Sequence, residues 1–119
     1  MTRVLIVDDN DLIRDLLQAQ FETEGFSVVV AVDGEDGVDK FKLQPFDVVI
    51  SDIFMPKQGA IFVVENIRSL APETPIIVMT GAELTLGQIE SVLGAVRTIR
   101  KPFKPCQLIA LTRECLAQA

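Results

Sequence analysis

The sequence predicts an α/β domain in which five strands and five helices alternate along the chain. Short apolar runs of strand length recur five times, and each is followed by a longer segment whose apolar residues have helical spacing. The runs are apolar on both faces, which is typical of parallel strands covered by helices on both sides. We therefore expect a three-layer (βα)5 fold around one parallel five-stranded sheet.

Size and composition are consistent with one such domain over residues 1–119. The chain is 49% apolar and 24% charged, so it can bury a hydrophobic core. No apolar run reaches the roughly 18 residues of a membrane span, and the first one is too short for a secretory signal. We expect a cytoplasmic protein without membrane contact. Its net charge of −6 argues against direct binding to nucleic acid.

The first half of the chain contains three predicted strands, Val4–Val7, Ser27–Val32 and Val48–Ser51. The helix after the first strand is expected to end at Gly25, and the second helix before Pro45. The apolar residues that mark these two helices are Leu12, Ile13, Leu16, Leu17 and Phe21 in the first and Val38 and Phe41 in the second.

The second half contains two predicted strands, Ile76–Met79 and Val96–Ile99. Cys106 and Cys115 are nine residues apart in the last predicted helix, which places them on opposite sides, so we expect free thiols. The three predicted helices are marked by Ile61, Val64, Ile67 and Leu70, then by Leu86, Ile89, Val92 and Leu93, and finally by Leu108, Ile109, Thr112, Cys115 and Leu116.

Polar residues follow four of the predicted strands, at the edge where ligands of open parallel sheets bind. They are Asp8 and Asp9 after the first strand, Asp52 after the third, Thr80 after the fourth and Lys101 after the fifth. Each alone has an ordinary explanation, since an Asp or Thr can cap a helix and a Lys can be a solvated surface charge.

Together, the three carboxylates predict a cation site. Two unit charges 4 Å apart repel by about 4 kcal/mol at an effective dielectric constant of about 20, so such a cluster needs a cation or bound protons. Oxygen ligands favour Mg²⁺ over zinc. A carboxylate can also act as a nucleophile towards phosphorus, and Asp52 stands alone opposite the Asp8-Asp9 pair. With no histidine in the chain, catalysis by imidazole is excluded.

These motifs resemble those of response-regulator receiver domains, from about residue 3 to residue 117. The matching segments are Val4–Asp9, Ser51–Pro56, Met79–Gly81 and Lys101–Phe103, in the same order and at similar spacing. The resemblance implies a flavodoxin-like fold with strand order 2-1-3-4-5. It also implies a signalling domain rather than a conventional enzyme, although such domains assist their own phosphorylation and dephosphorylation.

The resemblance further implies a role for each site residue. Asp52 would accept a phosphoryl group from a phosphohistidine on a sensor histidine kinase or a phosphotransfer protein. Asp9, Asp52 and the backbone carbonyl of Phe54 would ligate Mg²⁺ directly, and Asp8 would act largely through metal-bound water. The phosphoryl oxygens would be contacted by Thr80 and Lys101, and the Lys101-Pro102 bond would be cis.

The sequence departs from the family pattern at three places, two of which fall on or next to the usual output surface. Thr98 stands where the family has Tyr or Phe, Gly59-Ala60 replaces a common Asp-Gly pair, and the stretch between Thr80 and Lys101 is about one residue short. Phosphorylation would switch binding to a downstream protein partner. A homodimer through the fourth helix, fifth strand and fifth helix is possible, but the departures imply no specific one.

Three other functions compete with this interpretation. A haloacid dehalogenase-type phosphatase would need an acid two residues after its nucleophile, where this chain has Phe54. A flavodoxin-like FMN-binding module would need a phosphate-cradling loop in place of Asp8-Asp9-Asn10-Asp11. A degenerate receiver that only binds partners would fail to accept a phosphoryl group, although all five pocket residues are present here.

Overall fold

The computed structural model describes residues 1–53, 55, 58–81, 86–94 and 96–118, and confirms the alternation of strands and helices. Each strand differs from its predicted range by one residue: β1 begins earlier, at Arg3, β2 ends earlier, at Ala31, and β3 and β4 extend to Asp52 and Thr80. The fifth strand is shifted by one residue towards the C-terminus. The elements are β1 Arg3–Val7, α1 Asp11–Thr23, β2 Ser27–Ala31, α2 Gly34–Leu43, β3 Val48–Asp52, α3 Ala60–Leu70, β4 Ile76–Thr80, α4 Leu86–Leu93, β5 Arg97–Arg100 and α5 Pro105–Gln118.

The five strands form one parallel sheet with the order β2-β1-β3-β4-β5, which confirms the flavodoxin-like topology. In this order β1 and β3 are neighbours at the centre of the sheet, and β4 lies on the other side of β3. The carboxyl ends of the three strands therefore meet at one edge. The register there pairs Asp52 with Met79 and Thr80 with Arg100.

Alternate strand residues pack into two apolar layers on opposite faces of the sheet. One layer contains Ile6 and Ile50 with buried residues of α1 and α5. The other contains Leu5 and Val49 with buried residues of α2, α3 and α4. The helices thus cover both faces, as the doubly apolar strands predict.

The apolar stripe predicted for the third helix is only partly buried. In the third helix, Val64 and Ile67 are buried, whereas Ile61 and Leu70 are 50% and 51% exposed. The reason is geometric: residues three apart fall about 60° short of a full turn, so the two ends of a nine-residue stripe lie on opposite sides of the helix. The helix instead buries Val63 beside Val64.

Three other local predictions, at Gly25, at the Lys101-Pro102 bond and at the two cysteines, are confirmed. Gly25 follows α1 with a φ of +92°, in the left-handed region that favours glycine at helix ends. The Lys101-Pro102 bond is cis, as the resemblance implies. Cys106 is exposed and Cys115 is buried, and both are free thiols. No helix within the described ranges is both long enough and apolar enough to cross a membrane.

Candidate functional site

The fold brings the three predicted carboxylates together at the carboxyl edge of the sheet. Asp8 and Asp9 directly follow β1, and Asp52 is the last residue of the neighbouring strand β3. One carboxylate oxygen from each residue lies within 4.8 Å of the other two. Asp8 is fully buried, Asp52 is 9% exposed and Asp9 is exposed, so the cluster opens to solvent on one side.

Asp8 carries an unsatisfied acceptor. Its Oδ1 accepts a hydrogen bond from the backbone N–H of Asn10 at 2.9 Å, but its buried Oδ2 has no partner among the described residues. Burial raises the pKa of Asp8, and the nearby Asp52 and Asp9 carboxylates raise it further, whereas the Asn10 N–H and Lys101 lower it. A buried acceptor of this kind is what a cation would satisfy, and the all-oxygen donor set suits Mg²⁺.

Lys101 partly neutralises the cluster from the opposite side. Its Nζ lies 2.8 Å from Asp52 Oδ1, and the two side chains are 34% and 12% exposed. The backbone positions this lysine, because the Lys101 N–H donates to the Thr80 carbonyl at 2.7 Å. Lys101 therefore contacts Asp52 directly, and its contact with phosphoryl oxygens stays a prediction.

Thr80 ends β4 at the same edge and is fully buried. Its hydroxyl donates to the Gly81 carbonyl at 3.2 Å. The preceding residue, Met79, is the register partner of Asp52 and accepts the Ile53 N–H at 3.0 Å. Phe54, which the resemblance assigns as a carbonyl ligand, lies outside the described residues.

The sequence analysis missed Arg14, which braces the loop that carries Asp8 and Asp9. Its Nη1 donates to the Asp8 carbonyl at 2.7 Å, and its Nη2 pairs with the Asp11 carboxylate. The side chain of Arg14 is only 12% exposed. A signal was available: an arginine one turn into a helix that follows an acidic loop can reach back to that loop. Asn10 caps the same helix by accepting the Ile13 N–H at 3.0 Å.

A parallel sheet of this order with an acidic cluster at its carboxyl edge defines a class of protein, and comparison with known proteins gives the family. The family model described as the response regulator receiver domain matches residues 4–113. The chain therefore belongs to the response-regulator receiver family of two-component signalling, whose members interact with histidine kinases.

Individual relatives agree with this assignment. The transcriptional regulatory protein DltR of Streptococcus agalactiae is 36% identical over 112 residues, which cover 93% of this chain and 50% of DltR. For CpxR of Escherichia coli the identity is 33%, covering 100% of this chain and 51% of CpxR. The chain thus spans about half the length of these relatives. The crystal structure of the chemotaxis protein CheY4 of Vibrio cholerae superposes with a TM-score of 0.88 at 30% identity, covering 97% of this chain and 98% of CheY4.

Proposed function

We propose that this receiver domain accepts a phosphoryl group on Asp52 in a Mg²⁺-dependent reaction, from a phosphohistidine of a sensor histidine kinase or a phosphotransfer protein. The observation that carries the proposal is the position of the Asp52 carboxylate. It lies between the Asp8-Asp9 oxygens, within 4.8 Å, and the Lys101 ammonium, at 2.8 Å. With its side chain 12% exposed, Asp52 is accessible to a donor from solvent.

In the proposed transfer, an Asp52 oxygen forms a bond to phosphorus while the bond from phosphorus to the donor imidazole nitrogen breaks. The electron pair of the broken bond stays on that nitrogen, which takes up a proton as the imidazole leaves. Asp8, Asp9 and Asp52 would hold Mg²⁺, which neutralises charge on the phosphoryl oxygens when it is bound. The Lys101 ammonium would move from the free carboxylate to the added phosphoryl oxygens.

Thr80 would change its hydrogen bond when Asp52 is phosphorylated. Its hydroxyl donates to a neutral carbonyl, that of Gly81, and a phosphoryl oxygen is a stronger, charged acceptor. Thr98 lies on β5 beside Val78 and is half-buried, and its short side chain cannot make the large movement of an aromatic ring. We therefore propose that the change reaches a downstream protein partner through the end of β4, rather than through residue 98.

Labelling of the purified domain tests the proposed function. With acetyl phosphate and Mg²⁺, we expect intact-protein mass spectrometry to show the addition of one phosphoryl group, and chelation of Mg²⁺ to prevent it. Beryllofluoride with Mg²⁺ should shift the amide NMR signals of Asp52, Thr80 and Lys101. Absence of both responses in a folded protein would instead support a degenerate receiver that acts only as an interaction module.

We place the docking surface for the phosphohistidine protein on the first turns of α1. Leu12 is 79% exposed and Leu16, one turn later, is 46% exposed, although both belong to the apolar residues that mark the first helix in the sequence. Both lie on the helix that begins directly after the Asp8-Asp9 loop, where a donor must approach to reach Asp52. Burying such a pair against a partner would favour association.

Leu12→Asp is expected to slow phosphotransfer from the histidine-phosphorylated partner by about tenfold, which corresponds to a loss of about 1.4 kcal/mol of docking energy. Labelling by acetyl phosphate should be unchanged, because a small donor needs no docking surface. Leu43→Asp is the matched control, since Leu43 is 83% exposed but ends α2 at the opposite edge of the sheet. Equal slowing by both substitutions would argue against docking on α1.

A homodimer through α4, β5 and α5 stays a prediction. Of the two arginines of β5, Arg97 is paired within the chain: its Nη2 lies 2.9 Å from Glu114 Oε1 of α5. A dimer that used Arg97 in an intermolecular ion pair would first have to break this contact.

A further inference from the structure

Two glycines of α2 face the carboxyl edge of the sheet at unusually short range. Gly34 and Gly37 are both buried and lie three residues apart, on the same side of the helix. A Cβ atom at Gly37 would lie 2.8 Å from Val7 Cγ2, and Val7 directly precedes Asp8. A Cβ atom at Gly34 would lie 1.9 Å from the Gln58 carbonyl oxygen. Helix α2 therefore contacts both segments next to the acidic site: the end of β1, which precedes Asp8, and the segment after Asp52, at Gln58.

The described residues at the two ends of the segment between Asp52 and α3 lie close together. The Ile53 N–H donates to the Met79 carbonyl at 3.0 Å, and the Ile53 carbonyl accepts the Ala60 N–H at 3.3 Å. Gln58 has a φ of +50°, a left-handed conformation that is uncommon for a residue with a side chain. A Cβ atom at Gly59 would lie 2.8 Å from the Ile53 carbonyl oxygen, so Gly59 packs closely against Ile53.

Glycine is otherwise a poor choice at position 37, because in a helix interior it destabilises by about 0.5–1 kcal/mol relative to alanine. Gly34 is the first residue of α2 and lies outside the helix interior. Neither Gly34 nor Gly37 has a positive φ that would require glycine. The short contacts with Gln58 and Val7 are therefore the physical reason for glycine at both positions.

We propose that Gly34 and Gly37 are positioning residues for the metal-binding edge. By letting the α2 backbone approach closely, they fix the end of β1 that carries Asp8 and the loop that follows Asp52. This inference rests on the proposed Mg²⁺ site and adds residues that touch neither the metal nor the phosphoryl group. The two contacts differ in kind, because Gly34 meets a backbone carbonyl whereas Gly37 meets the end of a side chain.

Because Gly37 meets a side chain that can be shortened, its contact can be tested by a rescue experiment. Gly37→Ala is expected to weaken Mg²⁺ binding by about tenfold, the lower end of what outer-shell changes cost metal sites. Adding Val7→Ala removes the methyl groups that the new Cβ would meet, so the double variant should regain most of the affinity. Gly34→Ala should weaken binding similarly, but no side-chain truncation should rescue it. Isothermal titration with MgCl₂ measures all four proteins.

A second readout does not depend on the metal. In the Mg²⁺-free protein, Gly34→Ala should shift the amide signals of Ile53 and Ala60 and speed hydrogen exchange at the Ala60 N–H, whereas Gly37→Ala should shift those of Val7 and Asp8. Phe21→Leu, in the core layer on the other face of the sheet, is the stability control. It should lower the melting temperature and leave the Mg²⁺ affinity unchanged.

The outcomes separate this inference from the proposed function. Failure of the wild-type protein to bind Mg²⁺ would overturn the proposed function, and the metal-free amide signals would still test the positioning role. The inference would be overturned if Gly37→Ala bound Mg²⁺ as tightly as the wild-type protein. It would also be overturned if Gly37→Ala lost affinity and the added Val7→Ala did not restore it. Both outcomes hold even if Gly34→Ala failed to fold. Equal weakening by Phe21→Leu would show a general stability effect and overturn it as well.

Discussion

Asp52→Asn is expected to reduce phosphoryl incorporation to below about 1% of the wild-type level, with either acetyl phosphate or a phosphohistidine protein as the donor. The amide keeps the shape of the carboxylate but lacks its nucleophilic oxygen, so the substitution removes the covalent route instead of slowing it. The ion pair with Lys101 at 2.8 Å is lost as well, which leaves the lysine without its partner in the cluster. Intact-protein mass spectrometry after a fixed reaction time measures the effect.

Asp15→Asn is the matched control for this experiment. Asp15 is an exposed carboxylate on α1, outside the acidic cluster, and its replacement should leave labelling by acetyl phosphate unchanged, because this small donor needs no docking surface. Retained labelling in Asp52→Asn would mean that another side chain accepts the phosphoryl group. Peptide mapping would then decide whether that side chain is Asp8 or Asp9, and either result would overturn the assignment of Asp52.

The parallel order of the sheet explains why so much of the site could be predicted from the sequence. In a (βα)5 fold every strand ends at the same edge, so the residue type after each apolar run is enough to place Asp8, Asp52 and Lys101 near one another. The sequence does not specify at which residue the hydrogen bonding between neighbouring strands ends. The Ile53 N–H bonds to the Met79 carbonyl, which extends β3 through Asp52 and holds that residue in strand geometry.

The contacts that the sequence analysis missed depend on tertiary packing. Helical spacing grouped Leu12 and Leu16 with Leu17, but only the angle at which α1 lies on the sheet decides which of them is buried. The reach of Arg14 back to the Asp8 carbonyl depends equally on that angle. The close approach of Gly34 to Gln58 joins residues far apart in the chain, and a glycine after Asp33 reads locally as an ordinary turn.

Asp8→Asn is expected to stabilise the Mg²⁺-free protein while abolishing its stabilisation by Mg²⁺. Asp8 is fully buried, its Oδ2 has no partner among the described residues, and two other carboxylates are adjacent. Removing an uncompensated buried charge should raise the free energy of unfolding by about 1–3 kcal/mol. The new amide keeps an oxygen for the Asn10 N–H and offers its NH₂ group to the neighbouring acids.

The pH dependence of this difference has a definite sign. Because the folded protein raises the pKa of Asp8 above its ordinary value of 3.8, the unfolded chain loses this proton first as the pH rises. Below pH 3.8 the group is neutral in both states and costs nothing. Stability is lost as the pH rises from there through the raised pKa, and it stays lower at neutral pH. The gain in the free energy of unfolding from Asp8→Asn should therefore be small in acid. It should grow as the pH rises from 3.8 through the raised pKa of Asp8 and then level off.

Mg²⁺ should reverse the ranking of the two proteins at neutral pH. A ligand at 100 times its dissociation constant stabilises the folded state by about 2.7 kcal/mol, and only the wild-type protein should gain this. Denaturant unfolding followed by far-ultraviolet circular dichroism suits a chain with no Trp or Tyr. If Mg²⁺-free Asp8→Asn were less stable than the wild-type protein, the Asp8 carboxylate would be a net stabilising group. The cluster would then need no cation to offset its charge, and the physical argument for a Mg²⁺ site would fail with it.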